Sequence, residues 1–519
     1  MNATAVEEKL SIPPMDEHNE TWLSHVHPGD WQNPQPASLY DLVVIGAGPA
    51  GLITAAGAAG LGAKVALVER HLMGGDCLNV GCVPSKTLLR SAKVIGEIRV
   101  AENFGVHIPD GAKADFARVM ERMRSVRSQI SHHDSARRYQ DELGVDIFIG
   151  QGGFEDSDAV SVGEAKLHFR KAVIATGNRA AELPIPGLKE VGYLTNESIF
   201  TLTELPPRLA VIGAGPIGCE MAQAFRRFGA EVTILEVAPQ ILIREDQDAA
   251  KIIEKVLDND GVNIILDCKI QGMEKTESGK TIRFESSGGE NELEVDDILL
   301  SVGRAPNVEG LNLDSVGVKN DPIKGVEVDD FLQTANPKIF AAGDICFPYK
   351  FTHVADALAR IVIQNALFVP WFVPFNLGKK SMNDLIIPWC TYTDPEIAHV
   401  GLYENDAAEQ GIEVETFEQE LGAVDRAVAD GETEGFVKVH VRKGTDEILG
   451  ATIVARHAGE MISEIGVAMQ GKVGLGTIAS TIHPYPTQAE AIKRVGDSYN
   501  RTRLTPGNKR FLQRLMKWS

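Results

Sequence analysis

The sequence predicts an α/β protein built on two βαβ units and closed by a third domain of α+β character. Three observations predict it. Residues 39–70, "LYDLVVIGAGPAGLITAAGAAGLGAKVALVER", read as an apolar strand, a glycine turn, a small-residue helix and a second strand. Residues 208–237, "RLAVIGAGPIGCEMAQAFRRFGAEVTILEV", repeat that pattern. Beyond residue 385 the texture changes. "IPWCTYTDPEIAHVGL", "EGFVKVHVRK" and "EILGATIVAR" alternate apolar and polar residues, as half-buried antiparallel strands do. "AGEMISEIGVAMQGK" and "TQAEAIKRVGDSY" then read as helices.

In chain order, residues 1–38 are polar and read as a loosely held extension. Residues 39–188 form the first unit, 189–310 the second, and 311–384 return to the first. Residues 385–505 form the third domain. The tail, 506–519, ends in a basic amphipathic segment, "NKRFLQRLMKW", expected to pack on the body of the protein rather than on a membrane surface.

Bulk properties bound the partners. At 519 residues and 44% hydrophobic, the chain can bury several cores. Its net charge of -21 disfavours nucleic acid and anionic membranes. The first twenty residues lack the basic and apolar regions of a signal peptide. The longest apolar run, "ALFVPWFVPFNL" at 366–377, is too short to span a bilayer and holds two prolines. A soluble cytoplasmic protein is expected.

The two glycine turns share one physical logic. Gly46, Gly48 and Gly51 correspond to Gly213, Gly215 and Gly218. The first glycine makes the tight turn, the second admits a pyrophosphate to the backbone, and the third lets helix pack on strand. The helix N-terminus then offers free N–H groups to the phosphates. Glu69 and Glu236 end the second strands and would accept from a ribose 2′-hydroxyl. The interval from first glycine to glutamate is 23 residues in both copies (69 − 46 and 236 − 213). One such turn is common; two at matched spacing make two Rossmann-type dinucleotide-binding domains.

"GGDCLNVGCVPSK", residues 74–86, holds two of only six cysteines. A helix is expected from about Cys82, and a thiol at a helix N-terminus has its thiolate favoured. Zinc would need a second ligand pair, and Cys219, Cys268, Cys346 and Cys390 are isolated and read as small buried hydrophobes. A redox disulfide between Cys77 and Cys82 fits best.

The ordered set "GAGPAG", "GGDCLNVGCVPSK", "VIATGN", "GAGPIGCE", "SVGRAPN", "FAAGDI" and "HPYPTQAE" resembles the class I pyridine nucleotide-disulfide oxidoreductases over about residues 39–500. That group includes glutathione reductase, dihydrolipoamide dehydrogenase and mercuric reductase. The resemblance implies that Gly46, Gly48, Gly51 and Glu69 bind the ADP half of FAD. It places Thr176 and Gly177 in the connection out of the FAD domain and gives Asp344 the ribityl chain. Gly213, Gly215, Gly218 and Glu236 would hold the nicotinamide dinucleotide, with Gly303 and Arg304 nearby. Cys82 would be the flavin-proximal thiol and Cys77 the interchange thiol. Lys86 would sit by the flavin, paired with Glu220. Lys86 lies four residues after Cys82, on the same helix face, where a cation stabilises a reduced anionic flavin. Without the motif order both would read as ordinary surface charges. Glu236 would repel a 2′-phosphate, and "LEVAPQILI" has no basic residue before Arg244, so NADH is expected over NADPH.

The sequence also departs from that family. Disulfide-reducing members bring a histidine just before a Pro-Thr step, with a glutamate after it, as base and orienter. Here Pro486, Thr487 and Glu490 fit, but Tyr485 precedes Pro486 and His483 stands two residues earlier. A phenol titrating near 10 is a poor base at neutral pH. Mercuric reductase carries tyrosine there, yet the metal-delivering C-terminal cysteine pair of that enzyme is missing. Which of His483 and Tyr485 faces the thiols stays open. The expected function is an FAD-dependent NAD(P)H oxidoreductase that passes electrons through Cys77–Cys82 to a small acceptor, a soft metal ion or a disulfide. Dihydrolipoamide dehydrogenase is the alternative. A flavin-binding redox sensor is the alternative of another class, though a sensor has no need of a second dinucleotide site. The resemblance also implies a homodimer through the C-terminal α+β domain, with "HPYPTQAE" of one subunit completing the site of the other.

Overall fold

The computed structural model describes residues 10–369 and 376–518. The apolar run at 366–377 therefore lies partly outside the described residues. Among the described residues, no helix is long and apolar enough to cross a membrane.

The extension is not loose over its described part. Asp16 caps helix α1 (Glu17–Val26) by accepting from the Asn19 amide, and Trp22, Leu23 and Val26 enter the core. Strand β1 (Tyr40–Ile45) follows, then helix α2 (Pro49–Gly60) and strand β2 (Val65–Glu69). Both strands are buried along nearly their whole length, as parallel strands covered on two faces must be. The short helix α3 (Gly75–Asn79) and the long helix α4 (Cys82–Val100) carry the cysteines. Helix α5 (Phe116–Ser131), capped by Asp115, buries Phe116, Met120, Met123 and Arg127, one face at helical spacing.

Strands β3 (Asp146–Ile149), β4 (Gly152–Asp156), β5 (Ala159–Val162) and β6 (Ala165–Ile174) complete the first sheet, ordered β3-β2-β1-β6-β5-β4. Ile339–Ala341 also pairs with β6, so the chain does return to the first unit after the second. Helix Thr352–Leu367 packs on α2, and a Cβ on Gly57 would stand 2.6 Å from Ile363 Cδ1. The small residues of α2 are therefore a packing requirement.

The second unit repeats the design. Strand β7 (Arg208–Ile212), helix α6 (Pro216–Phe228), and strands β8 (Glu231–Leu235), β9 (Asn263–Ile265) and β10 (Asp297–Leu300) give a parallel sheet ordered β9-β8-β7-β10. The third unit is a five-stranded antiparallel sheet. Its order is Pro388–Thr391, Glu396–Gly401, Ile448–Ala455, Phe436–Arg442, Val414–Glu420, with helix Ala458–Gln470 against one face.

Charges knit the three units where they meet. Arg227 of α6, a buried residue, donates to Asp260 (2.9 Å) and to Asp394 (2.8 Å). Arg99 of α4 reaches Asp260 at 3.1 Å, and Lys93 of α4 reaches Glu396 at 3.3 Å. Gln223 of α6 exchanges hydrogen bonds with the Asp394 backbone.

The basic tail departs from expectation. Helix α7 (Pro506–Leu515) buries no residue, and Phe511 and Trp518 are exposed. Its apolar face lies clear of the body of the protein. Amphipathic spacing gives a helix an apolar side, but only a facing surface within reach can cover it.

Candidate active site

The two glycine turns are built alike. Gly46 (φ 103°) and Gly213 (φ 98°) take left-handed backbone that a side chain would strain. A Cβ on Gly51 would meet the Gly46 carbonyl at 1.8 Å, and one on Gly218 would meet that of Gly213 at 2.0 Å. Gly48 and Gly215 are the N-caps of α2 and α6, and neither helix start has a side-chain cap. Their first amides are left for an anion. Glu69 accepts from the amides of Ala47 and His71, both at 2.8 Å. Glu236 accepts from Ala214 (2.6 Å) and Ala238 (2.8 Å). Burial pushes the Glu69 carboxyl up. Both turns open into one cavity of about 2340 Å³, which Glu69, Asp344, Cys82, Glu220 and Glu236 also line.

The cysteines sit between the turns. Gly74, at φ 94°, swings the chain into α3, which carries Cys77. Gly81 is the N-cap of α4, and Cys82 is its first residue. A Cβ on Gly81 would stand 2.7 Å from the Asp76 carbonyl, so the two helices meet only through a glycine. Both thiols are free, and they hydrogen-bond to each other. Cys82 faces the cavity, 3.5 Å from the Thr352 hydroxyl. The bond from Cys77 holds the Cys82 thiol below the ordinary range, against burial, with Thr352 and Lys86 adding to it. The shared bond and burial push Cys77 up. Of the two thiols, Cys82 is the one whose thiolate is favoured, as its place at a helix N-terminus also favours.

Lys86 Nζ pairs with Glu220 at 3.0 Å. Glu220 is 3% exposed, and its other oxygen accepts from the Tyr392 amide at 2.9 Å. The ammonium also lies 4.5 Å from the Tyr392 ring centroid. Burial works against its charge, but Glu220 and Cys82 outweigh burial and hold Lys86 above its ordinary value. Lys86→Met would remove a cation that favours the Cys82 thiolate. Half-maximal alkylation of the reduced protein by iodoacetamide is then expected about one pH unit higher. An unmoved profile would remove Lys86 from that role.

Other expected residues fall in two groups. Asp344, Thr176, Gly177 and Gly303 line the cavity. Asn178 donates to Asp344 at 2.9 Å, and Thr176 Oγ1 donates to the Asn307 carbonyl at 2.9 Å. Arg304 lines the same cavity, donates to Asn178 at 2.7 Å and contacts the Asp76 carboxylate. His483, Tyr485 and Glu490 do not meet their own chain's thiols and lie outside the cavity lining. His483 bonds Glu464 at 2.9 Å, Tyr485 donates to Asp425 at 2.8 Å and is 69% exposed, and Glu490 pairs with Arg494. His483 thus couples to Glu464, and Glu490 to Arg494. Cys219 and Cys268 are buried as expected, whereas Cys346 and Cys390 are half-buried.

Sequence reasoning missed Glu245. It is buried beside the cavity and accepts from Trp389 Nε1 (2.9 Å) and Tyr403 OH (2.7 Å). Burial pushes its carboxyl up. Its partners lie 144 and 158 residues away, so no local spacing could reveal them.

The site can pass electrons between two dinucleotides and a dithiol, and comparison with known proteins agrees. Residues 40–359 match the family described as pyridine nucleotide-disulphide oxidoreductase, and residues 387–495 match its dimerisation domain. The chain is 37% identical over 457 residues to a mercuric reductase of Staphylococcus aureus, covering 88% of this chain and 81% of that one. It is 35% identical over 455 residues to a dihydrolipoyl dehydrogenase of Geobacillus stearothermophilus, covering 87% and 94%. Among solved structures, the HOCl-induced flavoprotein disulfide reductase RclA from Escherichia coli is similar at a TM-score of 0.77 and 29% identity, covering 88% of this chain and 99% of that one. With its family matched across both the dinucleotide units and the third domain, the chain belongs to the pyridine nucleotide-disulphide oxidoreductases.

Proposed function

We propose that this flavin disulfide oxidoreductase takes electrons from NADH and delivers them through Cys77–Cys82 to a small acceptor of the mercuric reductase type, a soft metal ion or a disulfide. The observation that carries the proposal is the cysteine pair itself. It opens on the cavity that both glycine turns share, with the Cys82 thiol held below its ordinary range and Tyr485, not histidine, before Pro486.

Family membership gives the chain FAD and a nicotinamide nucleotide as cofactors. The residues present fit them: two uncapped helix starts, two turns that only glycine can make, and a carboxylate seated behind each. In this proposal Gly46, Gly48, Gly51 and Glu69 hold the ADP half of FAD. Thr176, Gly177 and Asp344 line its path, and Arg304 orders Asp76 and Asn178 beside it. Gly213, Gly215, Gly218, Glu236 and Gly303 take the nicotinamide dinucleotide. Bound FAD supplies two-electron transfer between nicotinamide and sulfur. The chain's own part is to break the S–S bond into a Cys82 thiolate, neutralised by Lys86, and a Cys77 thiol that meets the acceptor. Cys77 retains its proton in the pair, so acceptor reduction needs a group that takes it.

Glu236 sits where a 2′-phosphate would meet a carboxylate already holding two amides, which supports NADH over NADPH. The ratio of kcat/KM for the two should exceed about tenfold in favour of NADH, and a ratio near or below one would reverse this assignment.

A homodimer follows from the dimerisation domain, with residues 483–490 of one subunit over the thiols of the other. Within one chain Pro484, Tyr485 and Pro486 of that segment are exposed and away from the cavity, while Gln488 is buried and anchors it. A second reading, dihydrolipoamide dehydrogenase, is favoured by the His483–Glu464 couple, which has the parts of a base and its orienter.

One assay series decides between them. Dihydrolipoamide-dependent NAD reduction near pH 8 is set against NADH oxidation by mercuric or cupric ion in excess thiol; the RclA neighbour is also known as a Cu(II) complex. Metal-dependent turnover with negligible lipoamide turnover supports the proposal, and the opposite result supports the second reading. Full activity from a monomer isolated by size exclusion would overturn the shared site.

A further inference from the structure

The segment before residue 40 lies outside the family match, yet it reaches the first dinucleotide site. Ile12 and Trp22 line the same cavity as Gly48, Glu69 and His71. Trp22 Nε1 donates to Asn79 Oδ1 at 2.9 Å, and Asn79 is the last residue of the cysteine helix α3. Asn79 in turn donates to the Met73 carbonyl at 3.0 Å, while the Met73 amide donates to the Val26 carbonyl of α1 at 3.0 Å. The loop from β2 to α3 is thus stitched to α1. The same loop touches the glycine turn: the Gly74 amide donates to the Ala47 carbonyl at 2.8 Å, and a Cβ on Gly75 would stand 2.5 Å from Gly48 Cα.

Arg127 of α5 completes this wall. Its guanidinium lies 3.7 Å from the Trp22 ring centroid. It donates to the Asn79 carbonyl at 2.9 Å and to Asn19 Oδ1 of α1 at 2.7 Å. The residue is 2% exposed and lines the cavity, yet its Nε has no hydrogen-bond partner and no carboxylate pairs with it among the described residues. A buried cation held only by neutral acceptors is costly unless an anion balances it. Neighbouring Arg124, paired with Asp16, adds to the cost. The anion that belongs in this cavity is the diphosphate of a dinucleotide.

We propose that the N-terminal extension completes the FAD site: Trp22 and Asn19 hold the Arg127 guanidinium in the cavity wall as the counter-charge to the FAD diphosphate. The proposal rests on the assignment of the first glycine turn to FAD. The extension then acts as a clasp whose loss loosens the cofactor without touching Gly46, Gly48 or Glu69.

The test is flavin release from the purified full-length holoprotein, followed by the rise of flavin fluorescence on dilution, with circular dichroism as the check on folding. Arg127→Gln should release FAD at least about tenfold faster than the parent. Arg127→Lys, which keeps the charge, should lie between the two. Trp22→Ala should follow Arg127→Gln. Should Trp22→Ala fail to fold, Trp22→Phe, which keeps an aromatic face for Arg127 on a smaller ring and loses the N–H donated to Asn79, should still release FAD several-fold faster. Parent-like retention in Arg127→Gln overturns the proposal. Equal loosening by Gln and Lys overturns the counter-charge and leaves only packing. A parent that purifies with no FAD, yet binds NADH, would instead overturn the assignment of the first turn.

Discussion

Cys77→Ser is expected to lower acceptor turnover on the order of 10³-fold or more, the scale of loss when a covalently acting side chain is removed. FAD should stay bound, and NADH should still reduce it. The geometry separates these effects. Cys77 sits in α3, two residues past the Gly75 that packs on the first glycine turn, and a serine there keeps the size and the hydrogen bond to Cys82. What it cannot do is form or break an S–S bond. Cys82 would remain, stabilised by Lys86 and by its place at the start of α4, but with no partner sulfur to carry electrons outward. Cys82→Ser should fail differently: FAD stays, and any long-wavelength absorbance that a Cys82 thiolate gives with the flavin disappears. Rapid-mixing measurements of flavin bleaching beside steady-state turnover distinguish the two. Turnover by Cys77→Ser within tenfold of the parent would mean that the acceptor bypasses the pair altogether.

Gly51→Ala and Gly218→Ala should divide the two dinucleotide sites cleanly. An added methyl would meet the Gly46 carbonyl at 1.8 Å in the first and the Gly213 carbonyl at 2.0 Å in the second. Backbone cannot yield as a side chain can, so each turn must open. Gly51→Ala should purify largely without FAD. Gly218→Ala should keep its flavin, yet NADH should no longer reduce it at concentrations that saturate the parent. Gly60 ends the same helix as Gly51, and a methyl added there would meet nothing within 4 Å. Gly60→Ala should therefore be neutral or stabilising by up to about 1 kcal/mol. Flavin content and bleaching by NADH read the first two, and thermal unfolding reads the third. Full flavin in Gly51→Ala would show that the first turn does not cradle the cofactor.

Much of this site was legible because its signals are local. Glycine turns, a carboxylate at fixed spacing and a thiol opening a helix are set by a few neighbouring residues. Lys86 and Glu220 were paired only through the motif order, since 134 residues separate them, and the 3.0 Å contact agrees with that pairing. The rest depended on which elements meet. Glu245 finds Trp389 and Tyr403 from distant strands and loops. His483 finds Glu464 because helix Ala458–Gln470 passes beside it, a neighbour no spacing announces. The extension did carry a missed signal: Asp16 before a helix with Trp22, Leu23 and Val26 on one side is a capped amphipathic pattern. Its polar composition concealed that pattern. The tail helix was the reverse case, since amphipathic spacing names an apolar face but not what covers it.

The charge network joining the three units also governs how the protein comes apart. Arg227 is buried and tied to Asp260 in its own unit and to Asp394 in the third, while α4 of the first unit reaches Asp260 and Glu396. Separating the third unit would break the Arg227–Asp394 and Lys93–Glu396 pairs and leave those charges to the solvent. The units are therefore coupled in melting as well as in electron transfer. Loss of the third unit takes ionic partners from the other two: Asp394 from Arg227, and Glu396 from Lys93.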